Sequence, residues 1–355
     1  MARAVRMARR VTGSTVCLMW VLSWQRHAGD FLKSIMRLMS KHSCDRDAVL
    51  LTTLWDRVLH RLGDGHWHAR SALSAGMGGA TGRMLRRFRH MGAPLRFDAA
   101  RGVRLEYPLT PLVSRRGLAI KAMRLFEIDS TNAEMLRRAS RGLRGPRALL
   151  AEHQARGRGR RGRGWATPLG GGIAMSLLIP RERIDRRMVV PLAVGVVLAR
   201  ALHRMGLKRV ALKWPNDLWV GGRKLGGILV EARAQGVVIG VGLNHRFPPG
   251  WRETIGQPVT SLADEMGALL PPRARVVRGM LEALSPLAGG LAVEWREGFA
   301  RFDALAGRTI RVQEASGATW DGEAGGIRED GALRVRVAAG ERFCHAGDVS
   351  VRMSS

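Results

Sequence analysis

The stretch "RALLAEHQARGRGRRGRGWATPLGGGIAMSLLIP", residues 147–180, places an arginine–glycine run between two apolar segments. The segments "RALLAEHQ" and "GGIAMSLLIP" are short, apolar and bounded by glycine or proline, so each is predicted to be a buried strand. The run at 156–165 is therefore a loop between strands of a folded domain. A disordered RNA-binding tail would instead lie in a longer polar, low-complexity segment.

The run also contains the spacing GxGxxG, at Gly157, Gly159 and Gly162. A dinucleotide-binding fold needs a helix directly after these glycines, because the helix N-terminus holds the pyrophosphate. Here "GWATPLGGG" follows, and its glycines and proline disfavour a helix. Two interpretations remain. The loop is either a solvated charged turn or an anion site in which backbone N–H groups and arginine forks bind phosphate.

The flanking sequence predicts two helices and a meander of strands around this loop. Asp129 or Ser130 is expected to cap the helix of "DSTNAEMLRRAS". The apolar segment "VVPLAVGVVLARALHRMG" predicts a helix closed by Gly206. In the segment 209–244, Gly221-Gly222 is predicted to join two strands as a tight hairpin.

The few lysines are informative because the net charge is +30 and only six of the 59 basic residues are lysine. This charge attracts phosphates, nucleic acids or acidic proteins without distinguishing them. Lys224 lies just after the glycine pair, so the hairpin should bring it near the Asn216-Asp217 turn. A compact ammonium beside Gly226-Gly227 suits a charge that develops on a carboxylate or phosphate.

The segment 45–110 predicts a small DNA-binding domain. It contains two helical stretches, a third helix in "ATGRMLRRFRHMG" and a hairpin in "PLRFDAARGVRLEY". This order is typical of a winged helix-turn-helix, whose basic third helix enters the major groove. The candidate DNA-binding residues are Arg83, Arg86 and Arg87. The alternative is a helical domain with a solvated arginine face.

Residues 1–44 are an extension of uncertain status. They join a basic start to a short apolar run, which fits a dispensable extension, a misassigned start or a targeting signal. The three scattered cysteines have no metal-binding spacing and fit a reducing compartment. No apolar run approaches the ~18 residues of a membrane span. We therefore expect a cytoplasmic protein without membrane contact.

Five motifs carry a resemblance to a known family. "EIDSTN", "AEHQARGRGRRGRGW", "ALKWPNDLWV", "RKLGGILVE" and "VVIGVGLN" occur in this order and at these spacings in biotin protein ligases. The resemblance covers roughly residues 47–355, and the winged helix is similar to that of the bifunctional ligase–repressors. Arg156 departs from the pattern, because the family usually has a small residue just before the loop glycine.

The resemblance implies an α+β fold in several parts. After the extension 1–44, residues 45–110 would form the winged helix-turn-helix. Residues 111–304 would form a central mixed-sheet ligase domain related to class II aminoacyl-tRNA synthetases. Residues 305–355, with "GRTIRVQ" and "HAGDVSVR", are similar to a small SH3-like β-barrel.

The activity implied is that of an ATP-dependent biotin–protein ligase. Biotin and ATP, with Mg²⁺, would form biotinyl-5′-AMP, and biotin would pass to a lysine of the biotin carboxyl carrier domain of a carboxylase. The resemblance also implies a homodimer when adenylate is bound, and operator DNA of biotin genes as a partner. A different hypothesis is a DNA-binding regulator that uses the ligase fold only as a biotin sensor. The complete loop, Lys224 and Gln154 favour the enzyme.

The same resemblance assigns site residues. Those expected to be catalytic are Lys224, Arg158 and Arg160. Those expected to bind biotin are Ser130, Thr131, Asn132, Gln154, Arg158, Gly159, Arg160 and Lys224. Trp165, Asn216 and Asn244 are expected to contact the adenylate. Asp217 would position either a ligand or a metal, and no metal ligand is assigned.

Overall fold

The computed structural model describes residues 58–59, 61–73, 80–112, 118–184, 189–314, 316–346 and 349–353. The chain divides into two compact units, Met1–Leu109 and Thr110–Ser355. The extension 1–44 lies outside the described residues, as does most of the first predicted helix, of which 58–59 and 61–62 are helical. Within the described ranges, no helix is long and apolar enough to span a membrane.

The first unit contains a basic helix followed by a hairpin. Its elements are α1 (Arg70–Leu73), α2 (Ala80–His90), β1 (Leu95–Asp98) and β2 (Gly102–Leu105). The antiparallel pairing of β1 with β2 confirms the predicted hairpin. Met84, Leu85 and Phe88 are buried on one face of α2, whereas Arg83 and Arg86 are exposed. The predicted third helix is thus confirmed as α2, and the third candidate arginine, Arg87, is half-buried.

The second unit is built on a seven-stranded mixed sheet. Its strands are β3 (Ala122–Ile128), β4 (Arg147–Gln154), β5 (Gly172–Ile179), β6 (Val210–Lys213), β7 (Asp217–Val220), β8 (Arg223–Arg233) and β9 (Gly236–Asn244). The order across the sheet is β3-β4-β5-β9-β8-β7-β6. Only β3 and β4 run parallel, and every other neighbouring pair in this sheet is antiparallel.

Helices cover both faces of this sheet because alternate strand residues point to opposite sides. The helices are α3 (Thr131–Ser140), α4 (Val190–Arg204), α5 (Leu262–Met266), α6 (Arg273–Ala288) and α7 (Arg296–Phe302). Leu149 packs with Met135 of α3 in a small core. Its neighbour Leu150 belongs to the main core, which α4 and α6 share. A cavity lies at the N-terminus of α3.

Most elements predicted around the loop are confirmed. "RALLAEHQ" forms β4, "GGIAMSLLIP" forms β5, and Gly206, with φ of 107°, lies just past the end of α4. The meander is β6 to β9, and Gly221-Gly222 joins β7 to β8 with positive φ at both residues. One boundary was wrong. Asp217 begins β7 instead of lying in the turn, because it pairs with Lys213 across the β6–β7 ladder.

A second sheet of five antiparallel strands follows. It consists of β10 (Thr309–Glu314), β11 (Thr319–Ile327), β12 (Leu333–Val337), β13 (Gly340–Cys344) and β14 (Val349–Met353), in the order β13-β12-β11-β10-β14. Trp214, 2% exposed, lies between β6 and β7 and donates its indole N–H to the Gly331 carbonyl at 2.9 Å. This bond fixes the turn after β6 to the five-stranded sheet.

A buried ion pair anchors the start of the second unit. The Arg273 guanidinium donates to the Glu152 carboxylate at 2.6 Å, and both side chains are 2% exposed. Arg273 also donates to the Thr110 carbonyl, and Arg124 donates to the other Glu152 oxygen at 2.9 Å. Removing one member would leave a buried charge without its counter-charge, which typically costs about 3–5 kcal/mol.

Candidate functional site

One cavity lies where the N-terminus of α3, the end of β4, the arginine–glycine loop and strands β8 and β9 meet. Among the residues that line it are Ser130, Thr131, Asn132, Gln154, Arg158, Gly159, Arg160, Trp165, Asn216, Asp217 and Lys224. The fold therefore brings together every predicted ligand-binding residue except Asn244. These residues come from four separate stretches of the chain.

The start of α3 forms a polar wall of this cavity. The backbone N–H and the hydroxyl of Thr131 donate to Gln154 Oε1 at 2.8 and 3.0 Å. Ser130, one of the two predicted capping residues, occupies the N-cap position of α3. Its side chain makes no capping hydrogen bond, so the predicted side-chain cap is wrong. Its side chain is instead part of the cavity lining.

A buried serine that sequence analysis did not identify supports this wall. The Ser176 hydroxyl on β5, fully buried, lies 2.8 Å from Thr131 Oγ1 and 2.6 Å from Asn132 Oδ1. Asn132 Nδ2 donates to Glu231 Oε2 at 2.9 Å and to the Leu229 carbonyl at 3.2 Å. Both ends of the Asn132 amide are thus held, which fixes its orientation.

The arginine–glycine loop folds as a small hairpin. Gly159 N–H donates to the Arg163 carbonyl at 2.7 Å, and Trp165 N–H donates to the Gly157 carbonyl at 2.8 Å. At the tip, Arg161 and Gly162 have φ of 56° and 71°, the left-handed pair that a tight hairpin turn requires. A Cβ on Gly157 would lie 2.2 Å from the Trp165 carbonyl oxygen, so the base of the hairpin needs glycine.

The two predicted loop arginines have different partners. Arg158 Nη2 lies 3.1 Å from Glu231 Oε2, and its catalytic assignment stays a prediction. Arg160 donates to Asn216 Oδ1 at 3.1 Å and to the Ala346 carbonyl, just after β13. Burial lowers the pKa of Arg160, although nearby Asp217 opposes that shift. The Asn216 amide nitrogen donates to the Ile228 carbonyl at 2.7 Å, which leaves its oxygen directed at Arg160.

Lys224 lines the cavity beside Asp217 and Trp165. Its Nζ is 2.8 Å from Asp217 Oδ1, as the predicted hairpin requires, and 5.6 Å from the centre of the Trp165 ring. The backbone of Lys224 bonds to Pro258 and Thr260 on a following loop. That loop also contributes Gln257 to the lining, which sequence analysis missed.

Asn244 lies behind this lysine instead of in the lining. It is 5% exposed, and its amide donates to the Thr260 carbonyl at 3.0 Å and weakly to the Lys224 carbonyl at 3.4 Å. In the structure it supports the backbone that carries Lys224. Its predicted contact with the adenylate stays a prediction.

Two glycines of β9 create space for two of the predicted ligand-binding side chains, Trp165 and Asn132. A Cβ on Gly242 would lie 2.3 Å from the Trp165 ring, and a Cβ on Gly240 would lie 2.3 Å from Asn132 Oδ1. Real contacts are never so short, so each side chain lies directly on a bare strand backbone. Glycine inside a strand is a sequence signal for such a close approach, but it does not identify the partner.

Lys213 is a second lysine near these groups. Its Nζ lies 4.4 Å from the centre of the Trp219 ring. Burial lowers the pKa of Lys213 to about 8, while the Asp217 carboxylate opposes the shift. Lys213 therefore adds positive charge behind Asp217 at a substantial desolvation cost.

A metal held by protein ligands alone does not fit the described part of this chain. Within it, no group of three or more His, Cys, Asp or Glu side chains is close enough to hold an ion. Asp217 is a carboxylate in the lining, but it is paired with Lys224. A magnesium ion that arrives on nucleotide phosphates needs only one or two protein carboxylates.

Known proteins resemble this chain in sequence. A model of the biotin/lipoate A/B protein ligase family matches residues 126–244. The bifunctional ligase/repressor BirA of Salmonella typhimurium is 33% identical over 210 residues, which are 54% of this chain and 64% of that protein. The chain thus spans a little under two thirds of that relative's length. The biotin–[acetyl-CoA-carboxylase] ligase of Mycobacterium tuberculosis is 34% identical over 243 residues, 63% of this chain and 86% of that protein.

A solved structure resembles the fold. The biotin protein ligase from Aquifex aeolicus, in complex with biotin and ATP, matches with a TM-score of 0.58 and 25% identity. The match covers 66% of this chain and 99% of that one. The sequence matches and the shared mixed-sheet fold agree, and the chain therefore belongs to the biotin protein ligase family.

Proposed function

We propose that this chain is an ATP-dependent biotin–protein ligase. In its first step, a biotin carboxylate oxygen bonds to the α-phosphorus of ATP. The bond from that phosphorus to the β-phosphate oxygen breaks, and pyrophosphate leaves. In the second step, the amine of an acceptor lysine attacks the carbonyl carbon of biotinyl-5′-AMP, and AMP leaves. The acceptor is the biotin carboxyl carrier domain of a biotin-dependent carboxylase.

The observation that carries this proposal is that one cavity is lined both by neutral polar groups and by cations. Thr131, Asn132 and Gln154 offer amide and hydroxyl groups, which suit the neutral ureido ring of biotin. Arg160 and Lys224 offer positive charge, which suits a carboxylate beside a phosphate. Biotin presents both chemistries in one molecule.

The first step forces two anions together, and the cations offset their repulsion. Lys224 and Arg160 are held by Asp217 and by Asn216, so their charge is in position before the ligands bind. Such fixed groups need no reorganisation during the reaction. The loop that carries Arg158 and Gly159 excludes water from the reactive anhydride. Mg²⁺ would be carried by the ATP phosphates and offset their charge, and Asp217 is the lining carboxylate that would help to hold it.

Trp165 provides the flat surface for the adenylate. Its ring lies on the bare backbone of Gly242, 5.6 Å from Lys224 Nζ. Aromatic rings bind nucleobases by stacking, whatever the base. Asn216, whose amide nitrogen donates to the Ile228 carbonyl of β8, is the second residue that contacts the adenylate on this proposal.

Pyrophosphate release on mixing the protein with biotin and ATP tests the proposal. The Lys224→Ala variant should lose about 10²–10³-fold in the rate of this release, the loss typical of removing one preorganised charge-stabilising group. Lys208→Ala is the matched control, because Lys208 is an exposed lysine outside the lining. Wild-type protein that releases no pyrophosphate, or a Lys224→Ala variant with normal turnover, would contradict the proposal.

A second candidate function is biotin-responsive binding to operator DNA by residues 45–110. Its support is the division of α2 into a buried apolar face and a face with the exposed Arg83 and Arg86, followed by the β1–β2 hairpin. The name of the Salmonella relative also includes a repressor. Adenylate binding would promote dimerisation through the central sheet and so bring two half-sites into register.

Gel shifts upstream of biotin genes, with and without biotin and ATP, test the DNA-binding candidate. A specific shift that strengthens with both ligands and weakens in Arg83→Ala would support it. No specific shift in either condition would leave residues 45–110 without this function.

By the same family reasoning, we assign the five-stranded sheet within 305–355 to an SH3-like domain.

A further inference from the structure

Glu231 joins two parts of the site that are far apart in the sequence. It lies on β8, and its carboxylate accepts from Asn132 Nδ2 at 2.9 Å and from Arg158 Nη2 at 3.1 Å. Asn132 belongs to α3, whereas Arg158 belongs to the arginine–glycine loop. Glu231 is not in the cavity lining, so it acts on a ligand only through these two neighbours.

Arg158 is placed to control the position of the loop. It lies opposite Gly164 in the hairpin, beside the Gly159 N–H that bonds across to Arg163. Its guanidinium leaves the hairpin and reaches the sheet at Glu231. The pair therefore ties one strand of the hairpin to β8, at a place separate from the Arg160 bonds to Asn216 and Ala346.

Without a neighbouring cation, the negative charge of Glu231 would be unfavourable beside a cavity that binds anions. A carboxylate beside a cavity for anions repels the ligand unless a cation neutralises it. Here the Arg158 guanidinium supplies the neutralising charge, and the Asn132 amide donates to the same carboxylate oxygen, Oε2. The Glu231 side chain is 17% exposed and the Arg158 side chain is 44% exposed, so solvent screens this pair in part.

We propose that Glu231 is a positioning residue that holds the 157–165 hairpin over the cavity through Arg158. On this account, Arg158 acts on the adenylate by keeping the loop closed, and Arg160 and Lys224 supply the charge. This inference rests on the proposed ligase function for its ligand. The tie itself is a property of the chain without ligand, and it can be tested separately.

The first test follows the release of biotinyl-5′-AMP that the enzyme has formed. Glu231→Gln keeps an oxygen that accepts from Asn132 but loses the ion pair with Arg158. Release should become about two- to fivefold faster in Glu231→Gln and in Arg158→Gln, the range for a partly exposed ion pair. The double variant should release no faster than Arg158→Gln alone. Asp321→Asn, which breaks the exposed Arg311–Asp321 pair of the C-terminal sheet, is the control and should match wild type.

The second test needs no ligand. Trypsin cleaves after arginine, so the loop residues Arg160, Arg161 and Arg163 report on how often the hairpin opens. Cleavage there, located by mass spectrometry of the fragments, should be about two- to fivefold faster in Glu231→Gln than in wild type or Asp321→Asn.

The outcomes separate the two proposals. Wild-type protein that makes no adenylate overturns the ligase function, while faster loop cleavage in Glu231→Gln still supports the tie. Adenylate release and loop cleavage at wild-type rates in Glu231→Gln overturn the tie alone. Multiplied effects in the double variant also overturn it, because Glu231 would then act independently of Arg158.

Discussion

Gly242→Ala tests whether Trp165 binds the adenylate where the structure places its ring. The added methyl group would lie 2.3 Å from Trp165 Cε2 and 2.6 Å from both Cζ2 and Nε1. Carbon atoms in contact lie about 3.5–4.0 Å apart, so the ring must retreat by about 1 Å or more. These three nearest atoms all belong to Trp165, so the change acts first on the tryptophan.

The expected effect falls on ATP and spares the fold. Alanine in place of a strand glycine adds about 0.5–1 kcal/mol of stability through the unfolded chain, provided that the displaced ring can move outward. Stacking of a nucleobase on an aromatic ring contributes about 1–3 kcal/mol. Loss of that contact should raise the KM for ATP by about tenfold or more, since 1.4 kcal/mol is a factor of ten.

The assay is pyrophosphate release at saturating biotin, with ATP varied and with biotin affinity measured separately by calorimetry. Gly325→Ala is the matched control, since its Cβ would be 3.4 Å from the nearest atom, an ordinary contact in strand β11. A Gly242→Ala variant with the wild-type KM for ATP would refute Trp165 as an adenylate contact. Equal loss of ATP and biotin binding would show that the strand itself is distorted.

Three further changes probe other parts of the site. Gly240→Ala would place a methyl group 2.3 Å from Asn132 Oδ1, so calorimetry should show biotin binding at least about tenfold weaker; unchanged affinity would remove Asn132 from the biotin contacts. Burial lowers the pKa of Lys213 from 10.5 to about 8, so the unfolded chain binds more protons than the folded chain between these pH values. The wild-type free energy of unfolding, measured by denaturant titration, should therefore rise across that window by up to about 3 kcal/mol relative to Lys213→Met. A flat difference between the two proteins would contradict the burial of a charged lysine. Arg160→Gly removes the bonds to Asn216 and Ala346, so adenylate should still form but escape sooner and biotinylate added albumin; retention equal to wild type would count against Arg160 as a clamp.

Local sequence signals predicted the elements well where one segment determines its own structure. The apolar runs of β4 and β5, the helix closed by Gly206 and the Gly221-Gly222 hairpin all follow from backbone preference and hydrophobic pattern. The closeness of Lys224 to Asp217 also follows, because a two-residue hairpin leaves little choice of register.

Contacts between distant segments were not predictable in the same way. Ser176 meets Asn132 across 44 residues of sequence, and Glu231 meets Asn132 across 99. Both depend on β9 lying between β5 and β8, a strand order that hydrophobic pattern alone does not determine. Ser176 therefore looks like one polar residue in a buried strand, and Glu231 looks like an ordinary charge near a strand end.

The net charge of the chain is a poor guide to how this site handles anions, because three of its cations already have protein acceptors. Arg158 is held by Glu231, Arg160 by Asn216, and Lys224 by Asp217. Free arginines on a flexible loop would bind any phosphate and would lose conformational entropy each time they did so. Fixed cations lose little entropy, but a ligand gains from them only if its anionic groups match their positions. The acceptors thus reduce general attraction and favour geometric selection, which the proposed function requires, because a ligase of this kind would join one carboxylate to one phosphate in a strongly basic protein.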